Sequence, residues 1–202
     1  MLYSLSCQVK LLGNILACLK YARTSIRSFR ASGLNIPEQR AFVGDSAFTV
    51  CVGKVSPLAQ KLVDTTEEAL YEGISKMVAG NHIGDVSSAV QKYAESRGFH
   101  VTREYTGHGV GRAMHEGPQV PNYGEPGRGL VLRIGMTIAL EPMLLVGTPA
   151  TRVLPDQWTV SSADGSLTAH YEHTVAVTEN GPLILTTLGD GSIPRRITEV
   201  KV

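Results

Sequence analysis

The pattern of the chain changes at Gly98, and this change limits the folds that the chain can adopt. Residues 42–52 are rich in β-branched and aromatic types, which predicts a strand. A helix is predicted to begin at Pro57, a favoured first helical residue, and to end near Gly80. A second helix is predicted from Asp85, acting as its N-cap, to Gly98, a residue type that commonly ends helices.

Short strands dominate the rest of the chain, around a stretch rich in glycine and proline at residues 107–129. The predicted strands are 101–105, 130–132, 137–141, 158–160, 166–172, 174–177 and 183–185. The predicted order is one strand, two helices and then many strands. This order predicts the α+β fold class. We expect an antiparallel sheet covered by helices on one face.

Bulk composition excludes several classes of protein. The 202 residues suffice for one domain with a core, and the net charge of +1 gives no indication of nucleic-acid binding. Three cysteines without a Cys-x-x-Cys pair favour a reducing compartment, so we expect a cytoplasmic protein. No apolar run approaches the roughly 18 residues that a transmembrane helix requires. We also expect a monomer.

The N-terminal segment differs from the remainder in charge. Residues 1–40 contain six Lys or Arg side chains and one acid, Glu38. This profile has three interpretations: a targeting or anchoring peptide, a poorly specified extension, or a misread gene start. We therefore divide the chain into a divergent basic segment (1–40), a catalytic domain (41–190) and a C-terminal tail (191–202).

Four separated residues, Asp45, His108, Glu141 and Glu172, lie in short motifs typical of metal ligands. Three carboxylates and one imidazole form a mixed oxygen and nitrogen set that suits Mn, Fe, Co or Zn. Such an ion would convert water into a nucleophile near neutral pH, which indicates a hydrolase. Each residue also has a plain structural explanation, such as a turn aspartate, an exposed loop histidine, or a glutamate in a salt bridge.

The local sequence around three of these residues is informative. Glu141 follows an apolar run that looks fully buried, where a carboxylate is costly unless it is paired or metal-bound. His108 lies between glycines, which allow close backbone approach and positive φ. Alternation along the strand puts His170, Glu172 and Thr174 on one face, although either face could be the buried one.

The specificity of these signals comes from their combination. Residues 42–186 contain, in order, Gly-Asp-Ser-Ala, Gly-His-Gly-Val-Gly-Arg with a following His-Glu-Gly-Pro, Glu-Pro-Met, Asp-Gln-Trp-Thr-Val and Tyr-Glu-His-Thr. This stretch resembles the type I methionine aminopeptidases, which are metallopeptidases of family M24 with the pita-bread fold. The Asp-Gln-Trp-Thr-Val motif disfavours the related proline-specific aminopeptidases.

The resemblance implies a role for each ligand residue. Asp45 and Glu172 would bridge two metal ions, and His108 and Glu141 would bind one of them. Glu141 would also carry a proton from the attacking water to the leaving amine. The implied reaction removes the N-terminal methionine from nascent polypeptides, which makes a nascent peptide the partner.

The resemblance also implies three substrate contacts. His115 would contact the substrate carbonyl and stabilise the tetrahedral intermediate. Trp158 would form a wall of the pocket for the methionine side chain. Met114 stands where the family often has an aromatic residue, and its flexible thioether would still fit that pocket.

The chain departs from the family pattern before Asp45. The family has a further aspartate and a histidine there, whereas the only acid in this region is Glu38 and the first histidine is His82. The N-terminal half of the fold is thus expected to be incomplete, with an exposed sheet edge. The second of the family's two ions would keep only its bridging ligands, Asp45 and Glu172, which leaves open an enzyme with a single ion. Two alternatives remain: a catalytically impaired module that binds metal or peptide, and a membrane or ribosome binder that uses residues 1–40.

Overall fold

A computed structural model describes residues 16–24, 42–51 and 54–187. Predictions made for the rest of residues 1–40 and for 191–202 lie outside the described residues. The described ranges contain two helices, α1 (Pro57–Ser75) and α2 (Ile83–Ser96). Neither helix of the described part of the chain combines the length and apolar character needed to cross a membrane.

Most strands belong to one seven-stranded sheet. Its members are β1 (Leu16–Thr24), β2 (Val43–Cys51), β4 (Thr106–Gly109), β5 (Glu116–Pro121), β6 (Thr137–Leu140), β11 (Glu172–Thr178) and β12 (Gly181–Ile184). The order is β1-β2-β11-β6-β4-β5, and β12 also pairs with β11. All these pairings are antiparallel.

A three-stranded sheet lies beside the large one. It contains β3 (His100–Val101), β7 (Met143–Leu145) and β10 (Thr168–His170) in the order β10-β7-β3. The chain passes from the large sheet to the small one at Glu141-Pro142, between β6 and β7, and returns at Tyr171, between β10 and β11. A separate hairpin pairs β8 (Thr151–Val153) with β9 (Val160–Ser162).

The core lies between the two helices and the sheets. Leu62 and Leu70 of α1, and Val90 of α2, are completely buried and pack with apolar residues of β6 and β11. At Gly73 of α1, a Cβ atom would lie 2.7 Å from the Val90 side chain and 2.8 Å from that of Leu140. Glycine therefore lets α1 approach α2 and β6 closely.

The predicted α+β class is confirmed, and several boundaries are corrected. Ser56 caps α1 by accepting a hydrogen bond from the Ala59 N–H at 3.2 Å, as the serine-proline start indicated, but the helix ends at Ser75. Asp85 is not the N-cap of α2. His82 occupies that position, and the Asp85 carboxylate accepts the His82 N–H at 2.7 Å in a capping box.

Several strands also differ from the prediction. The stretch 107–129, which is rich in glycine and proline and has no predicted strand, contributes β4 in part and all of β5. The predicted strand 130–132 forms only a single bridge. β1 pairs with β2 in register from Leu16↔Cys51 to Thr24↔Val43, so β1 rather than β2 lies at this end of the described sheet. The sequence of β1 contains no acidic residue.

Candidate metal centre

The four predicted ligand residues come together at the junction of the two sheets. Asp45 lies on β2, His108 on β4, Glu141 directly after β6, and Glu172 at the start of β11. Asp45 and Glu172 are completely buried, and His108 and Glu141 are each only 6% exposed. Buried carboxylates need compensating partners, so this concentration of them requires an explanation.

Thr174 holds the backbone of Asp45 in place. The Asp45 N–H donates to Thr174 Oγ1 at 2.8 Å, and the same hydroxyl donates to the Asp45 carbonyl at 2.8 Å. Both residues are buried. One hydroxyl therefore ties β2 to β11 where Asp45 enters the centre.

The glycines around His108 permit close backbone packing. A Cβ at Gly107 would lie 2.5 Å from the Ala139 carbonyl oxygen, and one at Gly109 would lie 2.0 Å from that of Gly117. Neither glycine has positive φ, so only the close-approach part of the prediction is confirmed. The register of β4 against β5 shifts between His108 and Gly109, an irregularity of the kind that re-aims a side chain.

The hydrogen bond of His108 determines which ring nitrogen faces the centre. Nδ1 lies 2.9 Å from the Gly109 carbonyl oxygen, which can only accept, so Nδ1 carries the proton. In the neutral ring, Nε2 then presents a lone pair, and it lies 3.5 Å from Glu141 Oε1. A lone pair facing a carboxylate requires a cation, either a proton on Nε2 or a metal ion.

His170 is a further potential donor beside the four predicted ligands. Its Nε2 lies 3.3 Å from Glu141 Oε2, and its ring and the Glu172 carboxylate belong to one group of potential donors. The alternation of the sequence had placed His170 and Glu172 on the same face. It gave no reason to choose this histidine, because the contact with Glu141 depends on how two sheets meet.

Within the described part of the chain, two groups of donor atoms could hold a divalent ion. Asp45, His108 and Glu172 form one, and Glu141, His170 and Glu172 form the other, with donor atoms within 4.8 Å of one another in each. The mixture of carboxylate and imidazole suits borderline first-row metals. The residues therefore fit a divalent metal, in agreement with the composition of the predicted ligand set.

The three predicted substrate contacts lie nearer the surface. His115 is exposed, and its ring centroid is 4.3 Å from that of His108. Met114, its neighbour, is partly buried. Trp158 is 70% exposed in the connection between β8 and β9, so its ring is accessible to a ligand.

His173, the residue after Glu172, is a buried histidine whose pKa is changed by its surroundings. Both residues lie on β11, so strand alternation directs the two side chains to opposite faces, and the Nδ1 of His173 lies 2.8 Å from Thr186 Oγ1. Burial lowers the pKa of the His173 imidazole to about 4. His173 is consequently neutral at physiological pH.

Comparison with known proteins identifies the family. The model of metallopeptidase family M24 matches residues 37–179, which is more than half of the chain. The chain belongs to metallopeptidase family M24. This M24 chain contains all four predicted ligands within the matched region.

Relatives with high sequence identity are methionine aminopeptidases. The protein of Clostridium acetobutylicum is 50% identical over 145 residues, which cover 72% of this chain and 58% of the relative. The protein of Salmonella typhimurium is 48% identical over 157 residues, covering 78% and 60%. This M24 chain thus spans about three fifths of the length of the curated relatives it matches.

Solved structures support the same fold. The methionine aminopeptidase of Thermotoga maritima has a TM-score of 0.76 and 42% identity, covering 86% of this chain and 64% of that one. The prolidase of Pyrococcus furiosus shares the fold alone, with a TM-score of 0.61, 21% identity, and coverage of 86% and 42%. The predicted pita-bread fold is confirmed.

Proposed function

We propose that this chain removes N-terminal methionine from polypeptides by metal-dependent hydrolysis. The observation that carries the proposal is the convergence of Asp45, His108, Glu141 and Glu172 in one buried centre. The methionine aminopeptidases at about 50% identity support it. Residues 41–190 would be the catalytic domain, with the N-terminal segment 1–40 and the tail 191–202 outside it.

Each residue has a proposed task at the centre. Asp45, His108, Glu141 and Glu172 would hold the ion, which would supply a water of lowered pKa and polarise the scissile carbonyl. Glu141 accepts a proton on a carboxylate oxygen and returns it to the leaving amine. Its low exposure supports this task, because burial limits exchange of that proton with solvent.

Substrate would be held on the exposed side of the centre. His115, whose ring lies against that of His108, would donate to the substrate carbonyl oxygen. Met114 and Trp158 would contact the methionine side chain, since thioether and aromatic groups pack well together. Small second residues in the substrate would be preferred.

The donor set and the substrate also suggest the identity of the ion, the oligomeric state and the location of the protein. We propose Co, Mn, Fe or Zn as the ion, and a monomer that acts in the cytoplasm. Because nascent chains carry the N-terminal methionine, contact with the ribosome would bring the protein to its substrate. Co-sedimentation with ribosomes and size-exclusion chromatography test these two points.

The decisive test is release of methionine from a Met-Ala-Ser peptide in the presence of Mn²⁺ or Co²⁺. Glu141→Gln should lower the rate by about 10²–10⁴-fold, because it removes the proton carrier and retains the shape of the side chain. Glu179→Gln is the control, since Glu179 is exposed in a turn after β11. Undiminished release by Glu141→Gln would contradict the proposed role.

A second candidate is a module that binds metal or methionyl peptides without cleaving them. The observation in its favour is that β1, the neighbour of β2 in the sheet, carries no carboxylate in its sequence. Binding of a Met-Ala-Ser peptide to the metal-loaded chain, with no methionine released over hours, would support the module and overturn the enzyme.

A further inference from the structure

Glu141 lies between two imidazoles. Its Oε1 is 3.5 Å from His108 Nε2, and its Oε2 is 3.3 Å from His170 Nε2. Charge-assisted hydrogen bonds between nitrogen and carboxylate oxygen are shorter, at about 2.7–2.9 Å. The two contacts therefore have the spacing of neighbouring donors rather than of tight ion pairs.

The spacing matches that of ligands on a common ion. Two donors at about 2.0–2.2 Å from a tetrahedral metal ion lie about 3.3–3.6 Å from each other. Both contacts of Glu141 fall in this range. The two carboxylate oxygens could thus serve two different ions, one on the side of His108 and one on the side of His170.

The backbone of His170 is held firmly for such a role. The Thr49 hydroxyl accepts the His170 N–H at 2.9 Å and donates to the His170 carbonyl at 2.8 Å. The Tyr171 hydroxyl donates to the Thr49 carbonyl at 2.8 Å. These bonds link the end of β10 to β2, and they involve only the backbone of His170, so its imidazole can be changed without removing them.

We propose that His170, together with Glu141 and Glu172, ligates a second divalent ion next to the ion on the His108 side of the centre. Each carboxylate oxygen of Glu141 would then bind a different ion. Glu172 belongs to both groups of donors, so it would be shared by the two ions. An imidazole in this set favours Zn²⁺, Co²⁺ or Ni²⁺ over Mg²⁺. The inference rests on the proposed function in one respect: it assumes that the donors around His108 hold an ion.

The test is a count of ions in the full chain. Protein stripped with a chelator and titrated with Co²⁺ should bind two ions per chain by calorimetry and elemental analysis. His170→Gln should bind one ion tightly and lose affinity for the other by at least about 10-fold, the lower bound for losing even a supporting contact of a ligand. His100→Gln is the control, because it changes an exposed histidine of β3, and it should still bind two ions.

A spectroscopic readout identifies the ligand directly. Co²⁺ shifts the N–H resonance of a coordinated imidazole far from its normal position. The native chain should show two such resonances, and His170→Gln and His108→Gln should each remove a different one. Thermal unfolding of the stripped variants establishes that both are folded.

Each remaining outcome overturns the inference. Two ions bound with native affinity by His170→Gln would show that another group holds the second ion. One ion in the native chain, with methionine release intact, would leave the proposed function standing and remove this inference. Absence of any bound ion would overturn both.

Discussion

At the scale of single residues, the glycines beside His108 have a purely steric purpose. Gly109→Ala would put a Cβ 2.0 Å from the Gly117 carbonyl oxygen, so the β4–β5 pairing must shift. We expect a loss of about 1–3 kcal/mol in the free energy of unfolding, by analogy with overpacking. Metal affinity should fall as well, because the shift moves His108.

Gly117→Ala is the matched control, since a Cβ there meets no atom within 4 Å. Denaturant unfolding of both variants measures the difference. Equal stability of the two would mean that the clash at Gly109 is relieved without cost.

The Thr174 hydroxyl should contribute to the free energy of unfolding through its two hydrogen bonds to the Asp45 backbone. Thr174→Val leaves both the N–H and the carbonyl of Asp45 without their buried partner. Leaving a buried group unsatisfied costs about 1–3 kcal/mol, so we expect a loss of that order. The measurement is urea unfolding of the stripped protein, which separates stability from metal binding.

Thr106→Val provides the comparison on β4, where the threonine is only half-buried. It should leave stability nearly unchanged. A Thr174→Val protein as stable as Thr106→Val would show that water replaces the lost bonds.

The residue scale also shows what sequence could predict. The proposed ligands Asp45, His108, Glu141 and Glu172 could be singled out because each lies in a local motif. His170 could not, because its neighbour Glu141 is 29 positions away and meets it only where the two sheets join. Local pattern predicts which residues share a face, but not which strand lies opposite.

At the scale of elements, the start of α2 depends on a carboxylate at the third helical residue. Asp85 accepts the N–H of His82 at 2.7 Å and that of Gly127 at 2.8 Å. These two bonds lower the pKa of the Asp85 carboxyl below its usual 3.8. Asp85 was predicted to be the N-cap because aspartate is a preferred capping residue and histidine is not.

The lowered pKa of Asp85 predicts an acid-sensitive contribution to stability. The folded state releases the Asp85 proton more readily than the unfolded state, so the contribution is complete above pH 3.8 and is lost as pH falls through the lowered pKa. Asp85→Asn should be less stable at neutral pH, and its stability should fall less steeply below pH 3.8. Urea unfolding at several acidic pH values measures both slopes, and parallel slopes would contradict the assignment.

At the scale of the whole molecule, β1 completes the large sheet at β2. Removal of residues 1–41 should expose an edge nine residues long, as β2 is Val43–Cys51. Exposed edges pair with other chains, so this truncated protein should associate or precipitate. Removal of residues 1–15 retains β1 and should leave the protein unassociated.

Light scattering on the two truncated proteins distinguishes the effect of β1 from that of a shorter chain. Identical behaviour would mean that β1 does not protect the edge.

The fold class was predictable because helix and strand patterns are local. The position of β1 was not, because nothing within residues 16–24 indicates which strand they join.

The junction between the two sheets has a mechanical consequence. Glu141 lies where the chain leaves the large sheet, and Glu172 begins the strand by which it returns. An ion bound to both would fasten the crossings to each other and limit sliding of one sheet against the other. Stripping the metal should therefore speed amide hydrogen exchange in β7 and β10 before it does so in β2, and exchange that rises equally in all three strands would show that the sheets move as one body.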